Sequence, residues 1–285
     1  MESNPLSDRV AIVTGGGRGL GRAMVLGLAR AGARVVATAA RERPEIEAVA
    51  EEARRECGKD CVVPLVADVT AEQDCRRTVE TAIARFGRLD ILVNNAGRGM
   101  KYVSGTFLIE PTRFWTIEPG TWRAVIDTNV NGPFLMARYA VPLMLRAGWG
   151  RIVNISMNHE TMRRHGFSPY GPSKAALESQ TIIWAQDLAG TGVTVNALLP
   201  GGATLTGMIP DGVPEAVRTG LLDPAIVVPP LLWLASPESD EVTGRRLVAT
   251  RWRTGCETRE AAEAAMDDAG WTTRTVARQA EGDDR

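Results

Sequence analysis

Tyr170 and Lys174, in the run Tyr170-Gly171-Pro172-Ser173-Lys174, stand four residues apart. On a helix that spacing puts a phenol and an ammonium on one face. A free tyrosine, with a pKa of ~10, is a poor acid–base catalyst near neutrality. A cation beside it stabilises the phenolate and brings it toward the working range. Ser168 is a fitting N-cap and Pro169 a fitting first residue for such a helix. The same pair also occurs on ordinary amphipathic surfaces, so its meaning depends on what accompanies it.

What accompanies it is a glycine turn. The apolar run Val10 to Val13 is followed by Thr14-Gly15-Gly16-Gly17-Arg18-Gly19-Leu20-Gly21 and then an amphipathic helical stretch. Glycines let the backbone turn sharply and approach a phosphate, and the next helix offers unpaired N–H groups and the positive end of its dipole. Gly15, Gly17, Arg18, Gly19, Leu20 and Gly21 are therefore candidate contacts to a dinucleotide pyrophosphate. The second strand ends Ala37-Thr38-Ala39-Ala40-Arg41, with no acid where one would hold a free ribose 2′-hydroxyl, although Glu42 follows. Arg41 and Arg18 suit a 2′-phosphate, which favours NADP(H) and leaves NAD(H) possible. Two solvated surface arginines are the bland alternative.

These residues need a frame. Short β-branched runs alternate with longer amphipathic stretches, the pattern of repeated βα units. Strands are expected at Val10–Val13, Arg34–Thr38, Cys61–Ala67, Leu89–Val93, Arg151–Ile155, Val193–Leu198 and Arg246–Ala249, with helices near 19–31, 44–57, 71–86, 121–146, 168–190 and 224–236. The expected fold class is α/β: a doubly wound, Rossmann-like parallel sheet of about seven strands in one domain over 1–252. Ligands of such sheets bind beyond the carboxyl ends of the strands. A charged extension, 253–285, with a short helix over Glu257 to Asp268, is expected outside the core. Arg98 to Gly120 is a long loop, and loops of that length are usually functional.

The TGxxxGxG turn, Asn94-Asn95-Ala96-Gly97 after the fourth strand, Asn129, the Tyr170/Lys174 pair and Pro200-Gly201 occur in one order over residues 6 to 250. In this the chain resembles the short-chain dehydrogenase/reductase family. The resemblance implies NAD(P)(H)-dependent interconversion of a carbonyl and an alcohol, and a homotetramer or homodimer built on the helices near 121–146 and 168–190. It further implies that Tyr170 gives the carbonyl oxygen its proton while Lys174 lowers the phenol's pKa, with help from a nicotinamide cation, and holds the nicotinamide ribose. Asn129 would hold a relay water. Asp68 and Val69 would contact adenine, Asn95, Ala96 and Gly97 would lie beside the adenosine ribose, and Pro200, Gly201, Ala203 and Thr206 would lie beside the nicotinamide, with Thr204 a rival to Thr206. Asn94 and Asn95 could equally serve only the turn and the sheet.

One departure stands out. The family's serine lies thirteen positions before the tyrosine, and here that position is Met157. Ser156 is one residue early, and because side chains alternate along a strand its hydroxyl would face the wrong way unless the strand end twists or bulges. Ser156 is the candidate carbonyl-polarising hydroxyl; otherwise Met157 lines the pocket and Asn158, His159 or a water substitutes. A cofactor-binding regulatory protein without catalysis is the alternative that this change raises. A sugar-nucleotide epimerase would prefer TGxxGxxG and a larger C-terminal region.

Composition narrows the partners. With 33 basic and 34 acidic residues and a net charge of -1, nothing draws the chain to nucleic acid or an anionic membrane. No apolar run reaches membrane-spanning length and no leader is evident, so a cytoplasmic protein acting on a small molecule is expected. The four cysteines lack paired spacing, and His159 and His165 lie six apart without nearby ligands, so no metal site is expected. Met157, Phe167, Met208 and Ile209 are candidate pocket walls, and Phe114 and Trp115 a candidate lid, which together suit a hydrophobic ketone or secondary alcohol.

Overall fold

A computed structural model describes residues 5–58, 60–210 and 218–270. The eight strands are β1 (Val10–Val13), β2 (Arg34–Ala39), β3 (Val62–Val66), β4 (Ile91–Asn94), β5 (Gly150–Ile155), β6 (Val193–Leu199), β7 (Arg245–Val248) and β8 (Met266–Asp268). They form one sheet in the order β3-β2-β1-β4-β5-β6-β7-β8. All neighbours are parallel except β7 and β8. The order reverses between β1 and β4, which opens the ligand crevice at their carboxyl ends.

Helices cover both faces, which is why β1, β4, β5 and β6 are buried along their whole length and read as continuous rather than alternating apolar runs. On one face α1 (Gly19–Arg30), α2 (Arg43–Cys57) and α8 (Val228–Leu234) pack through Met24, Leu28, Val49, Ala53, Leu231 and Leu234. On the other, α3 (Glu72–Phe86), α5 (Gly132–Ala147) and α7 (Tyr170–Asp187) pack through Val79, Ala82, Met136, Ala140 and Ala185. Among the described residues no helix is long and apolar enough to cross a membrane.

The expected single helix over 121–146 is two helices. α4 (Pro119–Ile126) passes through a π turn at Asp127–Asn131 before α5 begins, and such widened turns often sit at functional positions. Gly132 is needed just after it, because a Cβ there would come 2.8 Å from Val69 Cγ2.

The C-terminal extension departs most from expectation. Residues 258–268 belong to the core: α9 (Thr258–Ala265) buries Ala261, Ala262 and Ala265, and β8 adds an antiparallel edge strand to β7. Arg245 pairs with Asp268 and Arg251 with Asp267. The charged composition misled because its charges tie the strand down while three small alanines and the partly buried Met266 face inward. Residues 271–285 of that extension lie outside the described residues. Ending the chain at Cys256 should lower the unfolding free energy by at least ~2 kcal/mol, from three buried methyl groups at ~0.8 kcal/mol each. That corresponds to a drop in Tm of about 5 °C in calorimetry, and an unchanged Tm would show that α9 and β8 are dispensable.

Candidate active site

At the carboxyl end of β1 the glycine turn takes a path closed to other residues. Gly15 and Gly19 have φ of 65° and 53°, in the left-handed region that favours glycine. A Cβ on Gly21 would overlap Gly15 O and stand 2.7 Å from Asn95 Nδ2. Asn95 Nδ2 donates to Thr14 O at 2.9 Å and Gly15 O at 3.0 Å, while Thr14 Oγ1 accepts from the N–H groups of Asn95 and Ala96, each at 3.0 Å. The segment after β4 thus clasps the turn. Asn94 serves the sheet, donating to Asn154 Oδ1 at 2.8 Å.

α1 starts behind Arg18 with no side-chain cap and no acid in its first turn. Its leading N–H groups and dipole are therefore offered to an anion, and the glycine cradle with this uncapped helix end fits a pyrophosphate. Leu20 lines the adjoining pocket. Thr206 closes over the turn, its Cγ2 3.0 Å from where a Cβ on Gly19 would lie, whereas the rival Thr204 is buried with its hydroxyl on Gly202 O at 3.2 Å. Pro200 O accepts from Thr250 N at 3.1 Å and Gly201 has φ of 97°, while Ala203 lines the same pocket.

At the positions expected beside an adenosine, Asp68 Oδ1 is engaged by Thr70, at 2.9 Å from N and 2.8 Å from Oγ1. Val69 is buried against Gly132, and Gly97 lies beside Asn129 Oδ1. Arg41 is exposed just past β2. Arg18 is exposed too, with its guanidinium 3.3 Å from Glu45 Oε1, so the cation expected for a 2′-phosphate already has a partner.

Tyr170 opens α7 and Lys174 follows one turn later. Pro169, not Ser168, occupies the cap position, and no side chain caps this end. Lys174 is buried and donates to Ile155 O at 2.7 Å. Burial sets the titration of both groups: it pushes the Tyr170 phenol up to about 12 and the Lys174 ammonium down to about 8, the latter opposed by the Glu178 carboxylate. The expected lowering of the tyrosine by the lysine is therefore absent from the protein alone, because desolvation favours the neutral form of each.

Asn129, fully buried in the π turn, spends its side chain on the scaffold. Its Oδ1 accepts from Arg98 N at 2.8 Å, and its Nδ2 donates to Arg98 O at 3.0 Å and to Ser173 Oγ at 2.9 Å. Ser173 Oγ in turn donates to Tyr170 O at 2.6 Å. With both amide hydrogens committed, this side chain has none left to donate to a relay water; it steadies the first turn of α7.

Ser156 also departs from expectation. Its Oγ donates to Glu178 Oε1 at 2.6 Å, and both residues are buried. A serine has one hydroxyl proton, so in this geometry Ser156 cannot polarise a carbonyl. Met157 and Asn158 line the pocket beside it; Asn158 Nδ2 gives one hydrogen to Gly201 O at 2.9 Å and keeps a second. His159 faces Glu178 Oε2 at 3.0 Å. Sequence reasoning missed Glu178, although Tyr170, Lys174 and Glu178 repeat at four-residue intervals, which puts a carboxylate on the helix face that turns inward.

Tyr170, Lys174, Ser156, Met157 and Asn158 line a cavity of about 260 Å³. Met157, Phe167, Met208 and Ile209 form walls as anticipated. Phe114 and Trp115 do not cover it: they are 66% and 68% exposed and pack edge-to-face on each other. The long loop instead contributes Met100, Phe107 and Leu108, with Phe107 edge-to-face on Phe167 at 5.9 Å. The loop folds back earlier than spacing alone suggested, through the 3-10 turn Met100–Tyr102.

Comparison with known proteins accords with this arrangement. The family model for short chain dehydrogenase matches residues 9–214. The 3-oxoacyl-(acyl-carrier-protein) reductase FabG of Thermotoga maritima is 32% identical over 84% of this chain and 95% of its own length. An acetoacetyl-CoA reductase of Allochromatium vinosum is 34% identical over 84% and 96%. A short chain dehydrogenase of Shigella flexneri 2a solved in complex with NADP superposes with a TM-score of 0.76 at 27% identity, covering 87% of this chain and all of that one. By fold, by motif order and by the span of these matches, the chain belongs to the short-chain dehydrogenase/reductase family of oxidoreductases.

Proposed function

We propose that this protein is an NADP(H)-dependent reductase of a hydrophobic ketone, with Tyr170 as the proton donor. The observation that carries the reading is a half-buried phenol, Tyr170, lining the same apolar cavity as the buried Lys174, with Leu20 of the glycine turn on its wall. A bound reduced nicotinamide supplies the hydride. Tyr170 gives its proton to the carbonyl oxygen, and a phenol protonated up to about 12 is in the right form for that direction. Lys174 holds the nicotinamide ribose, and Asp68, Val69, Asn95, Ala96 and Gly97 flank the adenosine. Relatives named as reductases of 3-oxoacyl and acetoacetyl thioesters, and a structural neighbour holding NADP, support the direction and the cofactor. For the 2′-phosphate, Arg41 is the principal contact and Arg18 joins it by leaving Glu45. Exposed Trp122, Phe134 and Ile183 on α4, α5 and α7 support self-association through those helices.

In this reading the second amide hydrogen of Asn158 takes the role of the family's serine. Asn158→Ala should lower kcat by ~10²–10³, the usual cost of one oxyanion-type donor. Ser156→Ala should leave kcat within about threefold, since its proton serves Glu178. The opposite ranking of the two variants in steady-state assays would return the role to Ser156.

A further inference from the structure

We propose that Glu178 is a positioning residue for the catalytic pair, holding the rim of β5 in place and keeping an anion beside Lys174. The inference rests on the reading of Lys174 as the lysine that holds the cofactor ribose. Glu178 stands one helical turn beyond Lys174 and is 1% exposed. Burying a carboxylate is costly unless it is paired and hydrogen-bonded, and here both oxygens are used twice. Oε1 accepts from Ser156 Oγ at 2.6 Å and pairs with Arg246 at 3.2 Å. Oε2 meets His159 Nε2 at 3.0 Å and accepts from Gly270 N at 3.2 Å. The donors come from the residue after β5, the short helix α6 (His159–Met162), β7 and the second residue beyond β8.

The consequence is a rim held at three successive residues. Ile155 O accepts from Lys174 Nζ at 2.7 Å, Ser156 Oγ donates to Glu178, and Met157 O accepts from Arg246 at 2.9 Å. This is the stretch where methionine stands at the position of the usual serine, and the ion pair of Glu178 with Arg246, together with the Ser156 hydroxyl one residue earlier, fixes that wall. The titratable and charged groups around the cluster are Tyr170, Lys174 and Glu178 on α7, His159 after β5 and Arg246 on β7. Of these, the Glu178 carboxylate favours the Lys174 ammonium against its desolvation.

The test is the pH dependence of NADPH binding, followed by fluorescence titration, which needs no turnover. Glu178→Gln keeps the shape and removes the charge. Its affinity should fall on the alkaline side about one pH unit earlier than in the unaltered protein, with Glu178→Asp restoring the original limb. If Glu178→Gln does not fold, Glu178→Leu combined with Arg246→Leu removes both buried charges at similar volume, and should fold yet show the same early loss. An unmoved alkaline limb in a folded variant would reduce Glu178 to packing and overturn the proposal. Absence of NADPH binding by the unaltered protein would instead defeat the cofactor reading, and turnover lost in Tyr170→Phe checks the catalytic reading separately.

Discussion

Tyr170→Phe should abolish most ketone reduction while leaving NADPH binding within about threefold, because the substitution removes one hydroxyl and little volume. General acid–base catalysis contributes ~10²–10⁴ in rate, and among the described residues the other proton donors near Lys174 are already engaged. His159 is turned to Glu178, Ser156 gives its proton to the same carboxylate, and Asn129 is bound to Arg98 and Ser173. The loss should fall on kcat at every substrate concentration. The pH profile carries the same signature. The phenol remains protonated up to about 12, whereas Lys174 loses its charge near about 8. Reduction should therefore decline on the alkaline side as pH rises through about 8, from weakened ribose binding, and not near the tyrosine's value. A decline appearing only above pH 10 would mean that bound cofactor re-solvates or re-pairs the lysine.

Gly21→Val is expected to have the second large effect, on cofactor affinity. A side chain at this position meets Gly15 O and Asn95 Nδ2, the one a backbone atom and the other fixed by two hydrogen bonds to the turn. Neither can move without opening the phosphate cradle. Overpacking of a tight site costs ~1–3 kcal/mol, so NADPH affinity should weaken by about 5- to 150-fold. Isothermal titration reads this directly, with the melting temperature of the free protein as a control for folding. Tight binding by the variant would place the pyrophosphate elsewhere.

Much of this site was legible because its parts depend on local chemistry. The glycines of the turn are demanded by backbone geometry, and a Tyr/Lys pair at helical spacing needs only a helix to bring it onto one face. The βα rhythm located seven strands to within about two residues at each end. What escaped depends on tertiary contacts. Which of Thr204 and Thr206 reaches the turn is decided by the pairing of Thr204 with Leu222. The choice between Phe107 and Phe114 as the aromatic at the pocket is decided by where the long loop folds back onto Phe167. β8 was hidden because Met266-Asp267-Asp268 has almost no strand propensity of its own and is held by β7 and by Arg245 and Arg251. The offset of Ser156 was visible as alternation along β5, and its physical outcome, a hydroxyl turned to Glu178, follows that alternation. Glu178 itself was overlooked because a glutamate on a helix is usually at the surface, and only the partners drawn from β5, β7 and beyond β8 make its burial tolerable.

Hydride transfer from a nicotinamide to a ketone at Tyr170 leaves an isotopic trace. NADPH carrying deuterium at the transferable position, incubated with the protein and a panel of aryl, alkyl and acyl-thioester ketones, tests it in one experiment read by mass spectrometry. Deuterium is expected on the carbinol carbon of at least one hydrophobic alcohol product, one label per NADPH consumed, and at a rate ~10²–10⁴ lower with Tyr170→Phe. Tight NADPH binding without any labelled alcohol across the panel would contradict it and favour a cofactor-binding protein that has lost the reaction.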